Sequence, residues 1–312
     1  MTSAPPLLVV AGATATGKTA LAIEVALALR ADGIVAEIIS ADSRQVYRGL
    51  DIGTAKATPA ERALVPHHGL DLVDPDTRFT LADFVDHVES VLPAIAAHGG
   101  VAILAGGTGL YLRAVARGLD TASLPHDPAT RARIEAELAA EGLTTLAARL
   151  TGLAPTLAST VDLRNPRRVV RALEIAELAG DGPRPTDRGY PGPVAWIGLT
   201  VAPAAHRDRI HARARAQFDA GLIEEARALR ARWDPSLPAF SAIGYREAWA
   251  VLDGEIDRET AIERDAARNV AFARRQRTWF RSEPDIDWHD PSVEDEARHA
   301  GLLAARRLIG DR

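Results

Sequence analysis

The chain has 312 residues, of which 47% are hydrophobic and 25% charged, and its net charge is −5. This is an ordinary globular composition, long enough for two domains or for one domain with a large insertion. Zero cysteines exclude disulfides and thiolate metal sites, no apolar run reaches the length of a membrane span, and the slight acidity gives no global sign of nucleic-acid binding.

The first residues, Met-Thr-Ser-Ala-Pro-Pro, carry no basic segment of the secretory kind, so cytoplasm is the expected compartment. Leu7-Leu8-Val9-Val10-Ala11 then reads as a strand and residues 20–29 as an apolar-periodic helix. Between them lies Gly12-Ala13-Thr14-Ala15-Thr16-Gly17-Lys18-Thr19, with the G-x-x-x-x-G-K-T spacing of a phosphate-binding loop. Glycines let the backbone wrap closely, so that its N–H groups point at phosphate oxygens. The following helix adds the positive end of its dipole. Lys18 supplies a mobile charge, and the Thr19 hydroxyl is a candidate Mg²⁺ ligand. The loop alone does not say which phosphate it holds.

Charge is unevenly spent. Of 37 basic residues only Lys18 and Lys56 are lysine. A compact ammonium and a planar guanidinium are not interchangeable, so Lys56, in Asp51-Ile-Gly-Thr-Ala-Lys56, is expected either to belong to the phosphate site or to be a chance survivor. A second strand at 34–39 leads into Ser40-Ala41-Asp42-Ser43-Arg44-Gln45-Val46-Tyr47. Ligands of doubly wound sheets lie beyond the carboxyl ends of strands, which puts Asp42 at the mouth beside the loop. A helix N-cap is the other use of such an aspartate. Pro66-His67-His68-Gly69-Leu70-Asp71 invites a metal reading, but adjacent histidines rarely face one ion, and a structured loop is the better expectation. Residues 79–92 read as a helix with Thr80 as its cap and Asp83 following.

Val101 to Ala105 is a short strand of the buried parallel kind. It ends in Gly106-Gly107-Thr108-Gly109-Leu110-Tyr111, where a nucleotide hydrolase would carry an Mg²⁺-holding aspartate. Residues 119–193 read as a helical insertion between two parts of an α/β core, 1–118 and 194–312. Within it, Asn165-Pro166-Arg167-Arg168-Val169-Val170-Arg171 opens a helix whose arginines form either a solvated face or a strip for a phosphate backbone. The core resumes with a strand at 194–201. A helix over 209–218 puts Arg209 and Arg213 on one face, beside an anion or neutralised by Asp208 and Asp219. Ser241-Ala-Ile-Gly244-Tyr245-Arg246 is a second glycine-bearing polar segment. A long helix over 257–281 contains Arg274-Arg275-Gln276-Arg277-Thr278-Trp279-Phe280-Arg281, a basic-aromatic mixture suited to RNA. One more amphipathic helix is expected over 292–309.

Taken together, these segments resemble the bacterial tRNA dimethylallyltransferases, also called tRNA isopentenyltransferases. The matching stretches are Gly12–Thr19, Asp42-Ser-Arg-Gln, Tyr47-Arg-Gly-Leu-Asp-Ile-Gly-Thr-Ala-Lys56, His67-His-Gly-Leu-Asp71, Gly106-Gly-Thr-Gly-Leu-Tyr111, Asn165-Pro-Arg-Arg, Ala242-Ile-Gly-Tyr-Arg246 and Arg274 to Arg281. They span nearly the whole chain in the family's order. Ala13 stands where the family usually has proline, and Gln217 near a usual methionine. The zinc-finger tail of eukaryotic relatives needs cysteines that are lacking here.

The resemblance implies a P-loop-type parallel α/β sheet flanked by helices with an inserted helical domain. It implies dimethylallyl diphosphate as donor, Mg²⁺ as cofactor, and N6 of adenosine 37 in the tRNA anticodon stem-loop as acceptor. Asp42 is then the base for the amine, and Lys18, Thr19 with Mg²⁺ and Arg213 neutralise the diphosphate. Thr108 positions a donor or leaving oxygen, and the base is flipped out of its stack. The implied tRNA contacts are Asp42, Ser43, Arg44, Gln45, Arg167, Arg168, Arg171, Ser241, Gly244, Tyr245, Arg246, Arg274, Arg275, Arg277 and Arg281. A monomer is expected. The alternatives are a P-loop kinase binding ATP, against which the missing strand-end carboxylate counts, an adenylate isopentenyltransferase, against which the arginine-bearing insertion counts, and a non-enzymatic nucleic-acid-binding module.

Overall fold

The computed structural model describes residues 4–121, 123, 125–182, 187–293 and 295–310. Residues 183–186 of the expected insertion and Glu294 of the expected tail helix lie outside them. The chain divides into two units. One runs to Arg117 and resumes at Gly189; the other is Gly118–Arg188. Residues 189–193, assigned to the insertion by sequence, therefore group with the larger unit.

In the larger unit, β1 (Leu7–Gly12) leads through the loop to α1 (Lys18–Ala31), and β2 (Ala36–Ser40) to α2 (Pro59–Leu64) and the two-residue β3 (His67–His68). Then come α3 (Leu81–Ala97), β4 (Val101–Gly106) and α4 (Gly109–Ala116). Six parallel strands lie in the order β3-β2-β4-β1-β5-β6, where β5 is Val194–Leu199 and β6 is Ile286–His289. The two central strands β1 and β4 are buried throughout, as a sheet covered on both faces requires. Alternation then sorts their side chains. Leu8, Val10, Ile103 and Ile197 pack with α1 and the C-terminal helix, whereas Leu7, Val9, Leu104 and Trp196 pack with Phe84, Ile95 and Leu112 of α3 and α4.

The second strand starts two residues later than the apolar run, at Ala36. The His67-His68 segment adds an edge strand that was expected to be loop. Thr80 caps α3 as read from sequence: its hydroxyl accepts from Asp83 N–H, and Asp83 reaches back to Thr80 N–H.

The smaller unit is helical: α5 (Pro128–Glu141), α6 (Leu143–Leu153), α7 (Pro155–Ser159) and α8 (Pro166–Ala179). Asp127 and Asn165 cap α5 and α8, each with proline at the first helical position. Its own core joins Ile134, Leu146, Leu150, Val169 and Leu173. In the larger unit a further cluster gathers α9 (Pro203–Asp219), α10 (Leu222–Arg230), α11 (Tyr245–Leu252) and α12 (Arg258–Phe280) around Phe240, Tyr245 and Trp249. Asp257 caps α12 by accepting from Thr260 N–H. The last helix, α13 (Glu296–Gly310), starts four residues later than the stretch read as amphipathic and ends one residue beyond it. No helix among the described residues is long and apolar enough to cross a membrane.

Candidate active site at the phosphate loop

The loop leaves the carboxyl end of β1 and enters α1. Its conformation depends on small residues. Gly12 has φ 151°, and a Cβ there would lie 2.8 Å from the Leu199 carbonyl. Ala15 takes the left-handed region with φ 60°, a costly conformation for a non-glycine residue. Internal hydrogen bonds brace the turn: Thr16 Oγ1 and Lys18 Nζ both donate to the Ala13 carbonyl, at 2.9 and 2.7 Å. The N–H groups of Ala15, Thr16 and Gly17 make no hydrogen bond among the described residues. Ala13, whose carbonyl accepts both bracing bonds, is buried.

Every polar atom of Thr14 is held by a distant side chain. Its N–H donates to Gln276 Oε1 (2.8 Å), its hydroxyl accepts from Arg213 (2.7 Å), and its carbonyl meets His206 Nε2 at 2.8 Å. Gln276 also donates to the Gly107 carbonyl at 2.9 Å, joining the end of β4 to the loop. A side chain at Gly107 would collide with that amide.

Four charged groups converge here. Desolvation first, and then Arg213, push the half-buried Lys18 down to about 8, against the opposing pull of Asp42. Arg213 is itself lowered by desolvation, opposed by Asp42 and Asp265. Arg213 is not neutralised by Asp219, which pairs with Arg258. Asp265 is buried, and that burial raises it to about 6 despite a hydrogen bond from Asn269. Asp42 is not a helix cap: a turn follows it, and its Oδ1 accepts from Arg44 N–H at 2.8 Å. Its other oxygen has no partner among the described residues. Thr108 Oγ1 accepts from Ser43 N–H at 3.1 Å, so the Gly-Gly-Thr turn fixes the segment carrying Asp42.

Lys56 stands apart from this group. Its ammonium is fully buried and donates to the Tyr47 carbonyl (2.8 Å), Asp51 (2.6 Å) and Asp71 (2.7 Å). All three protons are spent, so the expectation that it serves the phosphate site is replaced by a structural role. Glu225 holds the same loop from the other side. It accepts from the N–H groups of Asp51, Ile52 and Gly53 and from the Tyr245 hydroxyl. Gln217 donates to the Ile52 and Gly53 carbonyls.

Several expected tRNA contacts are withdrawn by burial or by prior partners. Tyr245 is fully buried against Gly53 and bonded to Glu225, and Gly244 is buried at φ 106°. The Gln45 amide is consumed by Ser40, Thr54 and Ala55. Arg171 turns to the Pro125 carbonyl and the buried Glu174. Burial raises Glu174, but Arg131, Arg171 and His126 together hold it at about 2. Arg277 turns to His206 at 2.8 Å. By contrast Ser241, Arg246, Arg274, Arg275 and Arg281 are exposed on the larger unit, as are Arg167 and Arg168 on the helical one. Arg44 is half-buried and donates to the Pro238 carbonyl at 2.9 Å.

Sequence reading missed His206 and Gln276 as members of the site. Both had a signal. His206 and Arg213 are seven residues apart, on one face of α9, and Gln276 is the only neutral residue among Arg274, Arg275 and Arg277.

A family model described as IPP transferase matches residues 45–283. A tRNA dimethylallyltransferase of Anaeromyxobacter sp. (strain K) is 47% identical over 305 residues, covering 96% of this chain and 98% of that protein. One of Pseudarthrobacter chlorophenolicus is 44% identical over 310 residues, covering 96% and 99%. The crystal structure of the tRNA isopentenylpyrophosphate transferase of Bacillus halodurans aligns with a TM-score of 0.69 at 35% identity, over 97% of this chain and 96% of that one. These relatives are of near-equal length, and the chain belongs to the IPP transferase family, that of the tRNA dimethylallyltransferases.

Proposed function

We propose that the chain transfers the dimethylallyl group of dimethylallyl diphosphate to N6 of adenosine 37 in the tRNA anticodon stem-loop and releases diphosphate. The observation that carries this reading is Asp42. It is a carboxylate with one oxygen uncommitted, within the field of Lys18 and Arg213, beside a phosphate loop whose neighbouring strand β4 ends in Gly-Gly-Thr rather than in a carboxylate.

The chemistry follows from that arrangement. An exocyclic adenine amine is a weak nucleophile because its lone pair is delocalised into the ring. As the N6–C1 bond forms and the C1–O bond to diphosphate breaks, the N6 proton passes to Asp42. The electron pair of the broken bond leaves on diphosphate, where Lys18, Arg213 and the loop N–H groups stabilise it. Thr108, whose oxygen accepts from Ser43 N–H, keeps its hydroxyl proton for a diphosphate oxygen. Thr19 is an exposed hydroxyl in the first turn of α1. It would hold a magnesium ion bound together with the diphosphate, since that cation is often held by only one or two protein oxygens. Among the described residues no group of three or more His, Asp or Glu could cage a metal alone. Such an ion would supply further neutralisation of the leaving group.

The exposed arginines Arg246, Arg274, Arg275 and Arg281, with Arg167 and Arg168 and the half-buried Arg44, form the proposed backbone contacts. Flipping the target base costs roughly a few kcal/mol, which these contacts offset. The enzyme is proposed to act as a cytoplasmic monomer, where its acceptor tRNA resides. The test is labelled dimethylallyl diphosphate incubated with tRNA, with AMP or with no acceptor, and labelled ATP in parallel. Label entering tRNA alone supports the reading; label on AMP, or phosphoryl transfer from ATP, overturns it.

A further inference from the structure

We propose that His206 is a positioning residue that sets the phosphate-binding conformation of the loop and releases it when protonated. This rests on the proposed role of the loop as the diphosphate site. His206 is buried at the start of α9, 192 residues from its partner Thr14. Its two ring nitrogens have unequal partners. Arg277 lies at 2.8 Å from Nδ1, and a guanidinium can only donate. Nδ1 therefore accepts, and the single proton of the neutral ring sits on Nε2, where it donates to the Thr14 carbonyl.

That hydrogen bond fixes a peptide plane. The carbonyl of Thr14 and the N–H of Ala15 belong to one planar, trans unit and point in opposite directions. Holding the carbonyl against His206 turns the Ala15 N–H away from α9, and this N–H has no partner among the described residues. Ala15 is also the loop residue held at φ 60°. The adjacent peptide is held by Gln276 through Thr14 N–H. Two neighbouring residues of α12, Gln276 directly and Arg277 through His206, thus fix the two peptides on either side of Thr14.

Protonation removes the arrangement. An imidazolium carries hydrogen on Nδ1, facing the Arg277 guanidinium, so that contact must break; Nε2–H can still donate to Thr14, but the ring loses the brace from α12 that orients it on the loop. The charges that act on the ring are all positive: Lys18 from α1, Arg277 from α12, and Arg209 on its own helix. Burial first, and then these cations, hold the ring below the ordinary histidine range against the opposing effect of the Thr14 carbonyl.

Glutamine reproduces the pair without titrating, since its amide donates and its carbonyl accepts with similar spacing. The experiment measures inorganic diphosphate binding by calorimetry, and KM for dimethylallyl diphosphate and for tRNA, in the wild type, His206→Ala and His206→Gln. His206→Ala is expected to weaken diphosphate and raise the donor KM about ten-fold, the scale of one buried hydrogen bond. Its tRNA KM stays within about two-fold, and His206→Gln recovers donor binding to within about three-fold. The His206→Gln to wild-type ratio of diphosphate affinity rises as pH falls from 7 to 5. A glutamine variant as weak as the alanine one, or a ratio flat with pH, overturns the proposal. If the wild type binds diphosphate but transfers nothing to tRNA, the functional reading fails while the His206 role stands. If transfer occurs and the variants do not differ, the His206 role alone fails.

Discussion

The phosphate loop and the loop at residues 47–56 each contain one of the chain's two lysines, and they use it in opposite ways. Lys56 is sealed: three acceptors take its three protons, and no part of its side chain reaches solvent. Lys18 has one acceptor, the Ala13 carbonyl, and shares its surroundings with Arg213. The first is a bolt between Tyr47, Asp51 and Asp71. The second is a cation held in reserve, at a cost to the fold, for an anion that the fold itself does not contain. Scarcity of lysine marks both positions; only the number of satisfied protons tells them apart.

Removing each ammonium separates the two roles most sharply. Lys18→Ala is expected to lower transfer by about 10²–10³-fold, the scale of losing one preorganised charge stabiliser. The melting temperature should not fall, because the lost group was desolvated and beside another cation. Single-turnover transfer together with a thermal melt checks both halves. A stable variant with normal turnover would make Lys18 a second bolt.

Lys56→Met is expected to do the reverse. Breaking a buried pair from one side costs about 3–5 kcal/mol when the partner is left fully buried. Here Asp71 keeps Arg62 and Asp51 is more than half exposed, so roughly 2–3 kcal/mol is expected, or about a 5 °C fall in Tm. Turnover per folded molecule at low temperature should stay near wild type. A full loss of activity without destabilisation would return Lys56 to the phosphate site.

The pH dependence of donor binding sharpens the contrast from the side of Lys18 alone. Its lowered value of about 8 means that the ligand-free site holds the ammonium below that pH and loses it above. Diphosphate favours the charged form, so binding must raise the value again. The donor KM is therefore expected to climb above pH 8, by up to about ten-fold per pH unit. The Lys18→Ala variant should lack this limb. A limb that persists in the variant would belong to another group.

How much of this was legible in sequence follows the same division. The phosphate loop was readable because its chemistry is contiguous: strand, glycines, lysine, threonine and helix occupy adjacent positions. So were β1 and β4, whose unbroken apolar runs declare burial on both faces. The edge strand β6, Ile-Asp-Trp-His, is short and half-polar, and gave no such signal. Tyr245, Gln45 and Arg171 were expected at the tRNA because the family resemblance implies contact stretches there, and Arg277 because basic and aromatic residues interleave around it. Each instead meets a partner outside its own segment: Glu225 for Tyr245, Thr54 for Gln45, Pro125 for Arg171 and His206 for Arg277. Residue type fixes what a group can do, and the fold decides whether its donors are already spent.

Arg274 and Arg277, one helical turn apart on α12, carry that rule to RNA binding, where the smallest effect is expected. Arg274 is exposed and has no ion pair among the described residues, whereas Arg277 points to His206. Each phosphate neutralised by a basic side chain releases condensed counterions, so losing one contact reduces the salt dependence of binding. Arg274→Ala is expected to lower the slope of log affinity for tRNA against log salt by about 1. At a single physiological salt concentration that is only a few-fold change. Arg277→Ala should leave the slope unchanged and act on the donor side, because its guanidinium is committed to His206. Filter-binding titrations over a salt series read both variants on one plot. Equal slope changes would mean that Arg277 swings outward to the RNA, and that its hydrogen bond to His206 gives way when tRNA binds.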